Sequence, residues 1–183
     1  MDLFKKVLIL GLSKSGVSAA KYLKKHGADV FITELREKTT DDIQKIEELN
    51  NLGISVEMGG HSDNFIANAE FAVTSPGIPP KSEIFQKLNA LNIPIISELE
   101  LAYRNTSKPF IAITGTNGKT TTTALVSYIL SQTYNAPACG NIGNPPCDLL
   151  DEDIDYFVCE MSSYQIALSD TLKPKNESKP EKK

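Results

Sequence analysis

Residues 111–120 read Ile-Ala-Ile-Thr-Gly-Thr-Asn-Gly-Lys-Thr, and Ala124, Leu125 and Tyr128 follow within the next stretch. An apolar run that passes through glycines into a helix-forming segment predicts a buried strand, a loop, and a helix from Lys119 to about Gln132. That order of elements suits an anion. Gly115 and Gly118 let backbone N–H groups turn inward, and the helix start adds positive potential. Lys119 can neutralise β/γ-phosphate charge, and the Thr120 hydroxyl can hold Mg²⁺. The stretch departs from G-x-x-x-x-G-K-[ST], because Ile113 stands five residues before Gly118. A glycine turn with no ligand is the blander alternative. Strand, loop, Lys, Thr and helix in sequence favour the phosphate cradle.

Working back toward the N-terminus, residues 1–97 alternate short apolar runs with polar-faced stretches, the pattern of a parallel sheet flanked by helices. Val7–Leu10, Val30–Thr33, Ser55–Met58, Phe71–Thr74 and Ile93–Ile96 are the strand candidates. Gly16 to His26 carries Val17, Ala20 and Leu23 at helical spacing and ends at Gly27. His26 then sits in a last helical turn, where it complements the carbonyl end of the dipole. His61, beside Gly59 and Gly60, reads as a loop residue. Leu10-Gly-Leu-Ser-Lys-Ser-Gly16 follows the first strand and Glu34 closes the second. This resembles a dinucleotide fingerprint loosely, with Ser13 where a bare backbone would approach a pyrophosphate. A tight turn alone would also use Gly11 and Gly16. With a ligand, a diphosphate lies at the helix start beside Ser13, Lys14 and Ser15, and Glu34 accepts from a ribose or uracil. A nicotinamide-dependent oxidoreductase shares only this loose fingerprint, and the phosphate loop argues against it.

The fold class that follows is α/β: a Rossmann-like parallel-sheet domain at 1–97, then an incomplete P-loop ATPase-type domain at 98–174. A connecting helix is expected over Glu98–Arg104, with Lys108-Pro109 breaking the pattern before a strand at Phe110–Thr114. An irregular Gly-Asn-Pro segment and a strand at Tyr156–Glu160 follow. Leu172 to Lys183 carries five Lys, two Glu and two Pro and almost nothing apolar, so 175–183 is expected to be a disordered basic tail. The whole chain has 183 residues, a net charge of −4 and a pI near 5.3, which leaves its body without a nucleic-acid surface. Cys139, Cys147 and Cys159 have neither CxxC spacing nor His clusters beside them, so no disulfide framework or zinc site is indicated. Val7 to Leu10 is too brief for a signal peptide or a membrane span, and a soluble cytoplasmic protein is expected.

Three further sites fall where the carboxyl ends of parallel strands gather, the side on which α/β sheets bind ligands. They are Thr74-Ser-Pro-Gly-Ile78, Gly140-Asn-Ile-Gly143, and Glu160 before Met161-Ser-Ser-Tyr. Glu160 at a strand tip beside a P-loop can reach Mg²⁺ directly or through water, as a Walker-B acid does.

GTNGKT at 115–120 resembles the ATP loop of Mur ligases and folylpolyglutamate synthetases. SPGI at 75–78, GNIG at 140–143 and EMSSYQI at 160–166 are similar to the D-glutamate-adding branch of the Mur ligases. The resemblance implies an ATP-dependent amide ligase of peptidoglycan precursor synthesis, with UDP-N-acetylmuramoyl-L-alanine and D-glutamate as substrates and ATP and Mg²⁺ as cofactors. It assigns Gly115, Thr116, Asn117, Gly118, Lys119, Thr120 and Thr121 to ATP, and Thr120 and Glu160 to Mg²⁺. Lys119 and Glu160 become the catalytic pair. Ser13, Lys14, Ser15, Glu34, Arg36 and Ser75 surround the UDP-sugar, and Asn141 and Ser162 lie near the muramoyl-peptide end and the reacting phosphate. After Pro174 the family continues with a His, a carbamylated Lys and a third domain. The expectation is therefore a truncated chain, inactive alone unless a second polypeptide supplies the rest, or else a non-catalytic binding remnant. It also implies an open sheet edge and exposed apolar surface.

Overall fold

Strands buried on both faces read as continuous apolar runs. Such runs supply the centre of a five-stranded first sheet, β1 (Lys6–Leu10), β2 (Asp29–Glu34), β3 (Ser55–Met58), β4 (Phe71–Thr74) and β5 (Ile95–Ser97), in which only the edge strand β3 has no fully buried residue. The computed structural model describes residues 6–67 and 69–172, so the tail expected at 175–183 lies outside the described residues. All pairs are parallel, in the order β3-β2-β1-β4-β5. Side chains alternate between the faces. Val7, Ile9, Val30 and Ile32 point to the face covered by α1 (Lys14–Lys25), α2 (Asp42–Asn51) and α5 (Glu98–Arg104). Leu8, Leu10 and Ala72 point to the other, with Ile66 of α3 (Asp63–Ile66) and Ile84, Phe85 and Leu88 of α4 (Glu83–Ala90). The chain steps outward from β1 to β3 and then returns to β4 on the other side of β1. The ends of β1 and β4 thus flank a topological switch point, where open α/β sheets bind ligands.

The fifth strand differs from its expected range of Ile93–Ile96. Pro94 has no N–H to give a ladder, and its carbonyl instead accepts from Ala72 N at 2.9 Å. Ile93 belongs to the preceding turn, its N–H donating to Leu88 O at 2.9 Å. Pairing starts only at Ile95, opposite Ala72.

The second sheet comprises β6 (Phe110–Ile113), β7 (Ala138–Gly140) and β8 (Phe157–Glu160), all parallel in the order β6-β8-β7. Helix α6 (Lys119–Leu130) packs on all three strands, and α7 (Ser163–Ala167) follows β8, with Leu168 beyond it packed against the first sheet. The segment expected to be irregular contains β7 and a 3₁₀ turn at Pro146–Leu149. Cys139, Phe157, Cys159 and Met161 pack with Leu99, Leu149 and Ile154, and Phe110 stacks on Phe157 with ring centroids 4.3 Å apart. Among the described residues β6 has no strand on its outer side. Of α6 only Thr123 is fully buried, and Leu125, Tyr128 and Ile129 are 55%, 68% and 58% exposed.

Helix α5 serves both cores. Leu101 and Ala102 join the first, and Leu99 joins the second. Its first residue, Glu98, is fully buried and accepts a hydrogen bond from Cys147 N at 2.7 Å. Burial pushes its carboxyl up from 4.5 to about 7, against the pull of the Cys147 N–H. Between those two values the folded chain holds a proton that the unfolded chain has released, so stability falls as pH rises through this window and levels off above it. The full difference is on the order of 3 kcal/mol. Glu98→Gln keeps an acceptor for Cys147 N without the charge. Thermal melts at pH 5 and pH 8 should show a flattened pH dependence for the variant and a midpoint several degrees higher at pH 8; an unchanged slope would show that Glu98 ionises at no cost.

Candidate functional site

The turn after β1 is shaped by a close approach of backbone to backbone. A Cβ on Gly16 would lie 2.2 Å from the Gly11 carbonyl oxygen, so only glycine lets α1 start this close to β1. Ser13 caps α1, its hydroxyl accepting from Gly16 N at 3.3 Å and donating to the Ser75 hydroxyl at 2.7 Å. The structure therefore joins the β1 and β4 loops at the residues singled out from sequence. Ser75 is buried, Ser15 half-buried, and Ser13 and Lys14 exposed. Lys14 reaches across to the second sheet, donating to Gly143 O and Asn144 Oδ1, both at 3.1 Å.

Glu34 and Arg36 are engaged with protein groups. Glu34 accepts from Leu12 N at 2.9 Å and from Arg36 N at 3.3 Å, so its carboxylate lies against the glycine turn. The Arg36 guanidinium forms a fork on Asp42 at 2.6 and 2.7 Å. Hydrogen bonds from Arg36 and Thr39 hold the Asp42 carboxyl well below the usual carboxylate range. His61 does more than line a loop. Its Nδ1 lies 2.8 Å from the Thr33 hydroxyl at the end of β2, and burial lowers its pKa. Nothing local in the sequence marks that contact.

The second half of the site is built on β6 and β8. Gly115, Thr116, Asn117, Gly118, Thr120 and Thr121 are all exposed, forming a loop open to solvent over the start of α6. Lys119 folds back so that its ammonium donates to Gly115 O at 2.8 Å. Thr123, which the motif reading passed over, is fully buried and anchors the first turn by donating to Lys119 O at 2.8 Å. Glu160 pairs in register with Ile113, the last residue before the loop, and Met161 N donates to Ile113 O at 2.9 Å. Glu160 is buried, and its Oε2 has no hydrogen-bond partner. A buried carboxylate oxygen left without a donor fits a cation supplied from outside the chain. Among the described residues no group of three or more His, Cys, Asp or Glu could hold a metal. Magnesium suits this sparse donor set, since it typically takes one or two carboxylates and completes its shell with waters and phosphate oxygens.

Two more expected residues lie beside Glu160. Asn141 is exposed, its N–H donating to Glu160 O at 3.0 Å. Ser162 opens α7 in a reciprocal capping box with Gln165, whose Oε1 accepts from Ser162 N at 2.9 Å. Gly140 makes this corner possible. It has φ +92°, and a Cβ there would stand 2.3 Å from the Glu160 carbonyl oxygen.

Comparison with known proteins agrees with this geometry. Residues 5–97 match the Mur ligase MurD-like N-terminal domain, and residues 113–175 match the Mur ligase middle domain. The chain belongs to the Mur ligase family. Within that family it is 43% identical over 177 residues to a UDP-N-acetylmuramoylalanine–D-glutamate ligase from Pelodictyon phaeoclathratiforme, covering 93% of this chain and 37% of that protein. A protein of the same name from Caldicellulosiruptor saccharolyticus is 41% identical over 95% of this chain and 40% of its own length. The chain thus spans about two-fifths of the length of these curated relatives. Among solved structures, a pseudomurein peptide ligase type C from Methanothermus fervidus superposes with a TM-score of 0.51 at 25% identity, over 86% of this chain and 32% of that one. A murein peptide ligase from Psychrobacter arcticus, at 20% identity and TM-score 0.54 over 86% of this chain and 38% of that one, shares the fold.

The corner at Gly140 can be tested against a control. Gly27 has a similar φ of +89° but nothing within 4 Å of its Cβ position. Gly27→Ala should cost about 1–2 kcal/mol for the left-handed backbone alone. Gly140→Ala should cost at least about 2 kcal/mol more, since the clash is with backbone and cannot be relieved by a rotamer change. Urea denaturation of both variants measures the difference; equal losses would mean that the strand tips are not held so closely.

Proposed function

We propose that this chain holds the UDP-sugar and Mg·ATP in the ligation of D-glutamate to UDP-N-acetylmuramoyl-L-alanine. Residues 1–97 form the UDP-sugar unit in this reading, and 98–174 the ATP unit. The observation that carries it is the buried, unpartnered Oε2 of Glu160, in register with the residue that opens the phosphate loop. The names of the curated relatives supply the substrates.

The N-terminal turn receives the diphosphate. Ser13 and Ser15 offer hydroxyls, Lys14 brings an ammonium, and Ser75 orients Ser13 through their shared hydrogen bond. Glu34 and Arg36, at the end of β2, border the uridine. In the second unit the N–H groups from Gly115 to Thr121 turn toward the β/γ-phosphates, and Lys119 leaves Gly115 O for the nucleotide. Thr120 and Glu160 would hold Mg²⁺, which supplies charge neutralisation at the transferring phosphoryl group. Asn141 and Ser162 flank Glu160 on the side where the muramoyl peptide's carboxylate must arrive. Transfer of the γ-phosphoryl group to that carboxylate gives an acyl phosphate, which the amine of D-glutamate attacks with loss of inorganic phosphate. The chain's contribution is positioning and electrostatic complementarity. Among the described residues no helix is long and apolar enough to cross a membrane, and we place the reaction in the cytoplasm, where ATP is drawn from solution.

Calorimetry on the 183-residue chain tests the reading. UDP should bind in preference to NAD⁺; the reverse order would reject the N-terminal assignment. Mg·ATP binding should weaken by roughly ten- to a hundredfold in Lys119→Ala, since a charge-assisted contact contributes about 1.5–3 kcal/mol. Glu160→Gln should remove most of the Mg²⁺ dependence while leaving a weak, metal-independent ATP affinity. Unchanged nucleotide affinity in Lys119→Ala would reduce the loop to a structural turn.

A further inference from the structure

We propose that the cleft between α1, α2 and the Pro146–Leu149 turn is a second anion site, taking a small ligand of phosphate chemistry. The cleft has a volume of about 290 Å³ and is lined by Lys14, Val17, Ser18, Lys21, Lys45 and Asp148. Three lysines and one carboxylate line it, on a chain whose net charge is −4. Lys14, Ser18 and Lys21 recur at helical spacing along one side of α1, and Lys45 enters from the first turn of α2. Like charges gathered around a concavity repel one another, and concave walls focus their field on the space between them. A bound anion relieves that repulsion.

The neighbouring groups leave two of these lysines, Lys21 and Lys45, uncommitted. Lys25, one turn further along α1, pairs with Asp151. Among the described residues Lys21 and Lys45 have neither an ion pair nor a hydrogen bond. Ser18 is 4% exposed, and its hydroxyl is buried without a partner. An unpartnered hydroxyl on the wall of a cationic cleft is a donor waiting for an acceptor. Lys14 stands at the rim, with its ammonium turned away to Gly143 and Asn144. The cleft runs from there down the side of α1, past Lys21, away from Ser75 and the glycine turn. An anion carrying two phosphate groups offers charge enough for the Lys21 and Lys45 ammoniums, so diphosphate is the natural probe.

The test is a pyrophosphate titration of the full chain, followed by backbone-amide NMR, in a Lys119→Ala background that silences the phosphate loop. Amides of Ser18, Lys21, Lys45 and Asp148 should shift together. The pair Lys21→Gln/Lys45→Gln should weaken the dissociation constant at least tenfold. Asp148→Asn, which removes the opposing charge, should tighten it several-fold, a gain that a merely structural role for Asp148 does not predict. All three replaced side chains are exposed, and circular dichroism verifies that the fold persists. Lack of UDP competition at the same amides would assign the cleft to a separate phosphate ligand, as expected; UDP competition there would merge it with the diphosphate turn and overturn a second site. An unchanged affinity in the double lysine variant, or shifts confined to Gly11–Gly16, would overturn the proposal. Because the readout does not involve ATP or amide formation, that failure would leave the ligase reading untouched.

Discussion

Two carboxylates on α5 tie the first sheet to the chain that follows it, Glu98 to the 3₁₀ turn of the second unit and Glu100 to the segment after α7. Glu98 takes the N–H of Cys147 from the 3₁₀ turn. Glu100, with no exposed surface, collects Arg104 Nε at 2.7 Å, the Thr171 hydroxyl at 2.6 Å and Thr171 N at 3.0 Å on one oxygen, and Leu172 N at 3.3 Å on the other. Burial alone would raise the Glu100 carboxyl, but the bonds from Thr171 and Arg104 outweigh it and hold it below its ordinary value. The two acids therefore do different work. Glu100 is a fully satisfied ionic clasp, whereas Glu98 is a buried group whose charge the surroundings barely tolerate. With the sheets clasped at α5, the loops beyond β1 and β7 meet, and Lys14 can span them.

The polar side chains of the site are satisfied by one another. Lys119 rests on Gly115 O, Glu34 on Leu12 N, and Arg36 on Asp42. Each is satisfied inside the protein by a neighbour, so no isolated charge is left in a poorly solvated place. Among the described residues Glu160 Oε2 and the Ser18 and Ser82 hydroxyls are the exceptions, buried with nothing to bond. A net hydrogen bond contributes little, but an orphaned buried group costs considerably more. Unsatisfied atoms are accordingly better pointers to a missing partner than satisfied ones.

Much of this was legible in the residues. Buried parallel strands announce themselves because neither face tolerates polar groups, and Phe71–Thr74 falls where its apolar run places it; the edge strand Ser55–Met58 also lies where expected, although none of its residues is fully buried. Helix α5 coincides with the expected Glu98–Arg104, since Ser97 offers an N-cap whose hydroxyl accepts from Glu100 N. The phosphate loop was legible because its function forces glycine, lysine and threonine into one short span. What stayed hidden has a different physical origin. Three-residue β7 has too little length for a periodic signal, and its strand character comes from pairing with β8. Pro94 displaced a strand boundary through a missing donor. The double allegiance of α5, and the reach of Lys14 to Asn144, join residues far apart in sequence and leave no local trace. Glu160 could be named as a strand-tip acid from sequence, but its empty oxygen could not.

The order of the second sheet bears on how the chain is made. Among the described residues strand β6, which leads into the glycine loop at 115–118, pairs only with β8, and Phe110 packs on both Phe157 and Tyr103. The first sheet needs nothing beyond Ser97 to close its pairing. On a ribosome adding roughly 5–20 residues per second, the first sheet can assemble while β6 waits for several seconds without a partner. During that interval Phe110 can already pack on Tyr103 and the first core, while the backbone of β6 at Ile111 and Ile113 stays unpaired and open to association with other nascent chains.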